Sequence, residues 1–107
     1  MGRPKDTDII TECARKGDDV RLKKLMAEDG FNVQETYTKR EWNLLHFAMS
    51  GAHIACIDAI IEAAGSLAPT LLKAKDTLGF VPFRLARQKG YVDVVLYVDG
   101  KGMGDKK

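Results

Sequence analysis

A two-helix pattern that returns three times constrains this chain more than any single motif does. "CARKGD" (13–18), "AMSGAH" (48–53) and "ARQKGY" (86–91) each open with a small residue and reach, after a short spacer, a Gly or Ala where a helix would stop. Taking Gly17, Ala52 and Gly90 as equivalent gives spacings of 52 − 17 = 35 and 90 − 52 = 38 residues, slightly above a repeat period of about 33. A chain patterned this way folds by stacking similar units, since none of them buries its apolar face alone.

Within each unit the period is helical. Ile10, Cys13 and Ala14, then Leu22, Leu25 and Met26, follow i, i+3, i+4 steps. The pattern recurs as Leu45, Ala48 and Met49 followed by Ile57, Ile60 and Ile61, and again as Phe83 and Ala86 followed by Val94, Val95 and Val98. Between units lie the polar, turn-prone stretches "EDGFNVQETYTKREW" and "KAKDTLGFVP", which predict extended, hairpin-like fingers.

These residues resemble the ankyrin repeat family. "LLHFAMSGAH" is similar to its Thr-Pro-Leu-His-x-Ala-Ala-x-x-Gly-His signature, and "DTLGFVPFRLARQKGYVDVV" keeps Asp76, Gly79, Pro82, Ala86 and Gly90. "ECARKGDDVRLKKLMAEDGFNV" is similar to an N-terminal repeat of the family. The resemblance covers about residues 6 to 99 and implies an all-α, ankyrin-like α-solenoid of about three helix-turn-helix repeats with β-hairpin-like fingers. Its repeats would span about 6–38, 39–75 and 76–100, between a basic tail at 1–5 and a polar tail at 101–107.

Four departures stand out. Asn43 and Leu44 replace the Thr-Pro pair, and Val81 replaces Thr in the last unit, which predicts weaker or altered helix starts and fraying of the middle and last units. Arg84 stands where the family has His. Ala52 replaces the helix-breaking Gly, with Gly51 one residue early. About five extra residues around "AAGSLAPTLL" (63–72) lengthen the second helix or its loop, with Pro69 starting a short extra turn.

Composition narrows function mainly by exclusion. With 107 residues, 45% of them hydrophobic, the chain suits one small domain. A net charge of +2 from 17 basic and 15 acidic side chains is far below the density of a nucleic-acid or membrane-surface protein. Cys13 and Cys56 lie in apolar-periodic segments and are too few for a disulfide scaffold. No signal-peptide core appears, and charge or Gly interrupts the apolar runs before a spanning length of about 18 residues. A soluble protein of the cytoplasm, the nucleus or both is expected.

Chemical candidates weigh against chemistry. The resemblance implies that His46 is a scaffold residue, its ring nitrogens bonded to backbone in the finger and the neighbouring repeat, and it gives His53, Gly79, Pro82 and Gly90 structural roles. A zinc site would need Cys13, His46, His53 and Cys56 to converge from helices that need small packed residues instead. No glycine-rich phosphate loop, paired-carboxylate motif or nucleophile elbow is present. No enzyme activity, catalytic residue, metal or cofactor is expected.

The expected function is protein binding, as adaptor, inhibitor or regulatory subunit. Mapped from the resemblance, the concave face holds Arg15, Lys16, Lys39, Arg40, Trp42, Ser50, Gly51, Thr77, Leu78, Phe80, Gln88 and Lys89; five of these are basic and none acidic, so an acidic partner patch fits. Trp42 is the expected anchor, with Trp42→Ala plus Arg40→Glu leaving the fold intact. An alternative is a nucleic-acid-associated protein using "GRPK" (2–5), the basic face and "GDKK" (104–107). A third follows from "YVDVVLYVDG" (91–100), whose Val92, Val95, Leu96 and Tyr97 cannot all turn inward and predict a homodimer.

Overall fold

The computed structural model describes residues 6–37 and 39–100, without the side chains of residues 6–8, 99 and 100. The tails at 1–5 and 101–107, with "GRPK" and "GDKK", lie outside the described residues. Among the described residues seven α-helices follow one another: α1 Asp6–Lys16, α2 Asp19–Met26, α3 Leu44–Gly51, α4 Ile54–Ala64, α5 Ala68–Lys73, α6 Pro82–Gln88 and α7 Val92–Gly100. A single 3-10 turn, Gly65–Leu67, joins α4 to α5. Among the described residues no strand forms, so the chain is all-α.

The helices pack as three pairs, α1 with α2, α3 with α4, and α6 with α7. The first helices lie side by side, α1 against α3 and α3 against α6, while α2 packs on α4. One continuous core results, running from Ile10, Ala14 and Leu22 through Leu45, Met49, Ile57 and Ile60 to Phe83, Ala86, Val94 and Val98. The molecule is accordingly elongated, 44 × 26 × 23 Å.

Each helix stop has a local cause. Gly17 takes φ +93° and ends α1, and Asp18 then caps α2 by accepting from the Arg21 backbone N–H at 3.2 Å. His53 wedges its ring between Gly17 and Gly51. A Cβ on Gly17 would lie 2.6 Å from its Nδ1, and one on Gly51 would lie 2.7 Å from its Cδ2 and 2.6 Å from the Arg15 carbonyl oxygen. Only glycine fits at either side of that ring. In the middle pair the left-handed stop falls on Ala52, with φ +62°.

Of the weaker or altered helix starts expected, Val81 makes no side-chain cap bond. At Asn43 the cap is altered. Its side-chain oxygen accepts from the His46 N–H, while His46 Nδ1 accepts from the Asn43 N–H, both at 3.1 Å, a reciprocal box that satisfies two of the helix's orphan donors. The asparagine side chain also donates to the Leu71 carbonyl oxygen at 3.3 Å, tying α3 to α5.

The fingers are slighter than hairpins. In the first, Tyr37 and Trp42 exchange backbone bonds at 2.8 and 3.2 Å around a turn in which Glu41 is left-handed, φ +59°. In the second, Asp76 N–H donates to the Phe80 carbonyl oxygen at 2.9 Å and no ladder follows.

The extra segment after α4 forms the 3-10 turn and α5, with Pro69 in the first turn of α5. Here one expectation is corrected. Gly65, with φ +55°, ends α4, but the 3-10 turn and α5 continue at once, and Ile54–Lys73 is a 20-residue stretch long and apolar enough, by length and composition, to cross a membrane. It is spent on the core instead: Cys56, Ile57, Ala59, Ile60, Ala64, Ala68 and Leu71 are all buried against neighbouring helices.

Candidate interaction surface

Asp76, at the start of the second finger, organises the surface. It is 5% exposed, and a buried carboxylate persists only where donors surround it. Its Oδ1 accepts from the backbone N–H groups of Leu78 and Phe80, both at 2.9 Å, and its Oδ2 from the Trp42 indole N–H at 2.9 Å. The Arg40 guanidinium lies 3.8 Å from the same oxygen. Burial by itself would raise this carboxyl; the hydrogen bonds from Phe80, Trp42 and Leu78 outweigh it and hold the group below the usual aspartate value.

Backbone bonds join the two fingers directly. Thr77 N–H donates to the Arg40 carbonyl oxygen at 3.0 Å. His46, fully buried, places Nε2 3.0 Å from the Phe80 carbonyl oxygen. Since Nδ1 already accepts from Asn43, the ring is neutral with its proton on Nε2. Burial pushes its pKa below the ordinary histidine value, against the pull of the Phe80 carbonyl and Asp76.

Trp42 is therefore committed to the neighbouring finger. Its indole stacks on His46 at 5.9 Å, meets Phe47 edge-on at 5.2 Å and carries the Arg40 guanidinium at 5.4 Å. A half-buried face of the ring remains. Trp42 and Arg40 both contact Asp76, so Trp42→Ala with Arg40→Glu removes two groups that hold the inter-finger joint as well as the expected binding groups. What the finger offers outward is Leu78, 61% exposed, on a turn that Asp76 and Gly79 (φ +86°) fix.

The remaining residues of the expected face divide by how they are held. Arg15, Lys39 and Gln88 are exposed, as is Lys16, which pairs with Glu12 at 2.9 Å. Lys89 reaches back to Ser50, 3.2 Å from its hydroxyl and 3.4 Å from its carbonyl oxygen, and so links the second and third pairs. Phe80 is half-buried beneath the Arg84 guanidinium. Pro82 is buried at the start of α6, and Gly90 closes that helix with φ +73°.

Two features were beyond the sequence reading. Asp76 was visible only as a finger residue; its spacing to Leu78 and Phe80 is the turn-forming pattern that could have marked it. A shallow cleft at the first pair has an apolar floor of Ile10, Leu25, Phe31 and Tyr37 and an acidic rim of Glu28, Asp29 and Glu35, formed by α1 and the stretch from the end of α2 to the first finger.

Cys13 and Cys56 are buried, and burial raises both thiols, Cys56 to about 11. At neutral pH neither is the thiolate that nucleophilic or metal chemistry uses. Among the described residues no group of three or more His, Cys, Asp or Glu could hold a metal ion.

No family model matches the chain, and no curated protein matches it.

Proposed function

We propose that this chain is an ankyrin-like stack of three helix pairs whose work is binding a partner protein through its fingers and first helices, as an adaptor, inhibitor or regulatory subunit in the cytoplasm or nucleus. The side-by-side row α1, α3 and α6 supports the stacked reading, as do the inter-finger bonds from His46 and Thr77. The observation that carries the binding reading is the Asp76 turn. It presents an apolar side chain, Leu78, on a backbone fixed by four hydrogen bonds, beside the exposed cations Lys39, Arg40 and Lys75. A surface already ordered loses little entropy on association, and an apolar anchor ringed by same-sign charge fits an acidic patch with a hydrophobic recess.

Affinity capture from native lysate with wild type and with Lys39→Glu plus Leu78→Glu tests this reading. Both changed side chains are exposed, so circular dichroism should stay native. A specific partner should be captured by wild type and lost at least about tenfold in the variant. Equal capture by both proteins would refute the reading.

A further inference from the structure

Counting back from the helix stops Ala52 and Gly90, Trp42 falls opposite Phe80, His46 opposite Arg84 and Met49 opposite Arg87. The geometry repeats as well as the register: His46 stacks on Trp42 at 5.9 Å, and the Arg84 guanidinium lies 5.6 Å over Phe80. In the middle pair the following unit covers these positions, so that Met49 is fully buried and His46 reaches the next finger. After the last pair Arg84 and Arg87 are exposed, Arg87 held 5.9 Å over Phe83. On the adjoining helix Val92 and Leu96, one turn apart, are 63% and 64% exposed, with Val95 half-buried beside them.

This end of the stack thus joins a cationic half on α6 to an apolar half on α7. A guanidinium held over a ring by its attraction to the aromatic face still has N–H donors for carboxylate contacts. Neither Arg84 nor Arg87 forms an ion pair among the described residues. Among the described side chains of α7 the exposed carboxylate is Asp93, which shares the flank of Tyr97, whose hydroxyl is turned toward α4 and donates to Asp58 at 2.6 Å.

We infer that this end face docks an acidic amphipathic segment of a partner protein, its carboxylates on Arg84 and Arg87 and its apolar side chains on Val92 and Leu96. Charge argues against the other occupants. A second copy meeting this face symmetrically would set Arg84 and Arg87 against themselves. A copy adding head to tail would set the exposed cations Arg21 and Lys24 of α2 on the apolar Val92 and Leu96 of α7, and the Glu12 it would bring to α6 is already paired with Lys16 at 2.9 Å. Residues 101–107 carry three lysines against one aspartate, the same sign again. The inference rests on the stacked register proposed above and not on which finger residues bind.

Selection of a displayed random 16-residue peptide library on the folded chain tests it. Enriched peptides should carry Asp or Glu together with Leu, Ile or Phe and shift backbone amides of residues 84–96 in ¹⁵N–¹H spectra. Arg84→Glu with Arg87→Glu should weaken them at least about tenfold, as should Leu96→Glu, while Lys39→Glu leaves them unchanged and reports separately on the finger face. No enrichment above an unrelated carrier, peptides without acidic residues, or shifts confined to the fingers would overturn it. So would a dimer in sedimentation that Leu96→Glu dissolves.

Discussion

At the scale of the residue, the chain's departures from its own repeat pattern set local stability. Ala52 occupies a left-handed stop where Gly17 and Gly90 stand in the other pairs, a conformation that costs a Cβ-bearing residue about 1 kcal/mol. Ala52→Gly should raise the melting temperature by roughly 4 °C or more, measured by thermal circular dichroism, and an unchanged or lower value would contradict that assignment. His46 sets the response to acid. Its folded pKa lies below the unfolded value, so the unfolded chain takes the proton first, and stability is lost as pH falls below about 6.5 toward the folded value. Asp76, held below the ordinary aspartate value, adds a further loss under more acid conditions. Chemical denaturation at pH 7 and pH 5 should show this loss, and His46→Gln should flatten it over that interval. The bonding of the His46 ring to backbone was expected only through the family resemblance, and its neutral state needed the Asn43 contact. The capping role of Asn43 was not legible, because a residue's departure from a motif does not reveal whether its side chain bonds in another way.

At the scale of the element, the fingers depend on one carboxylate instead of a strand ladder. Asp76→Ala would leave two backbone N–H groups and the Trp42 indole N–H without their acceptor, at a cost of about 3 kcal/mol. Trp42→Phe removes only the indole donor and should cost about 1 kcal/mol, read from urea unfolding midpoints. Equal effects of the two substitutions would mean that the backbone bonds of Leu78 and Phe80 do not depend on Asp76. Helix pairing, the short turn at Pro69 and the burial of both cysteines were readable from apolar spacing. The finger interior was not, since it is set by contacts between residues 34 positions apart, Trp42 to Asp76 and His46 to Phe80. For the same reason Trp42 reads from sequence as a free aromatic anchor while its indole is bound across the inter-finger joint.

At the scale of the molecule, the two outer faces of the packed helix pairs differ. The first pair carries Glu12 and Arg21 at positions where the other pairs bury apolar side chains, and Lys24 where they hold buried Ala59 and half-buried Tyr97. The last closes with Arg84 and Arg87 but leaves Val92 and Leu96 exposed, and that unevenness gives the end its amphipathic character. The apolar excess of α7 was evident in the sequence; its division between an inward side, Val94 and Val98, and an outward one, Val92 and Leu96, required the packed helix. The central claim is that a rigid row of fingers and first helices is the binding face. Hydrogen–deuterium exchange of the chain alone and in complex with its captured partner tests it most directly. The account predicts added protection at residues 39–42 and 76–80 and none across α2 and α4; protection confined to α2 and α4, with the fingers unchanged, would contradict it.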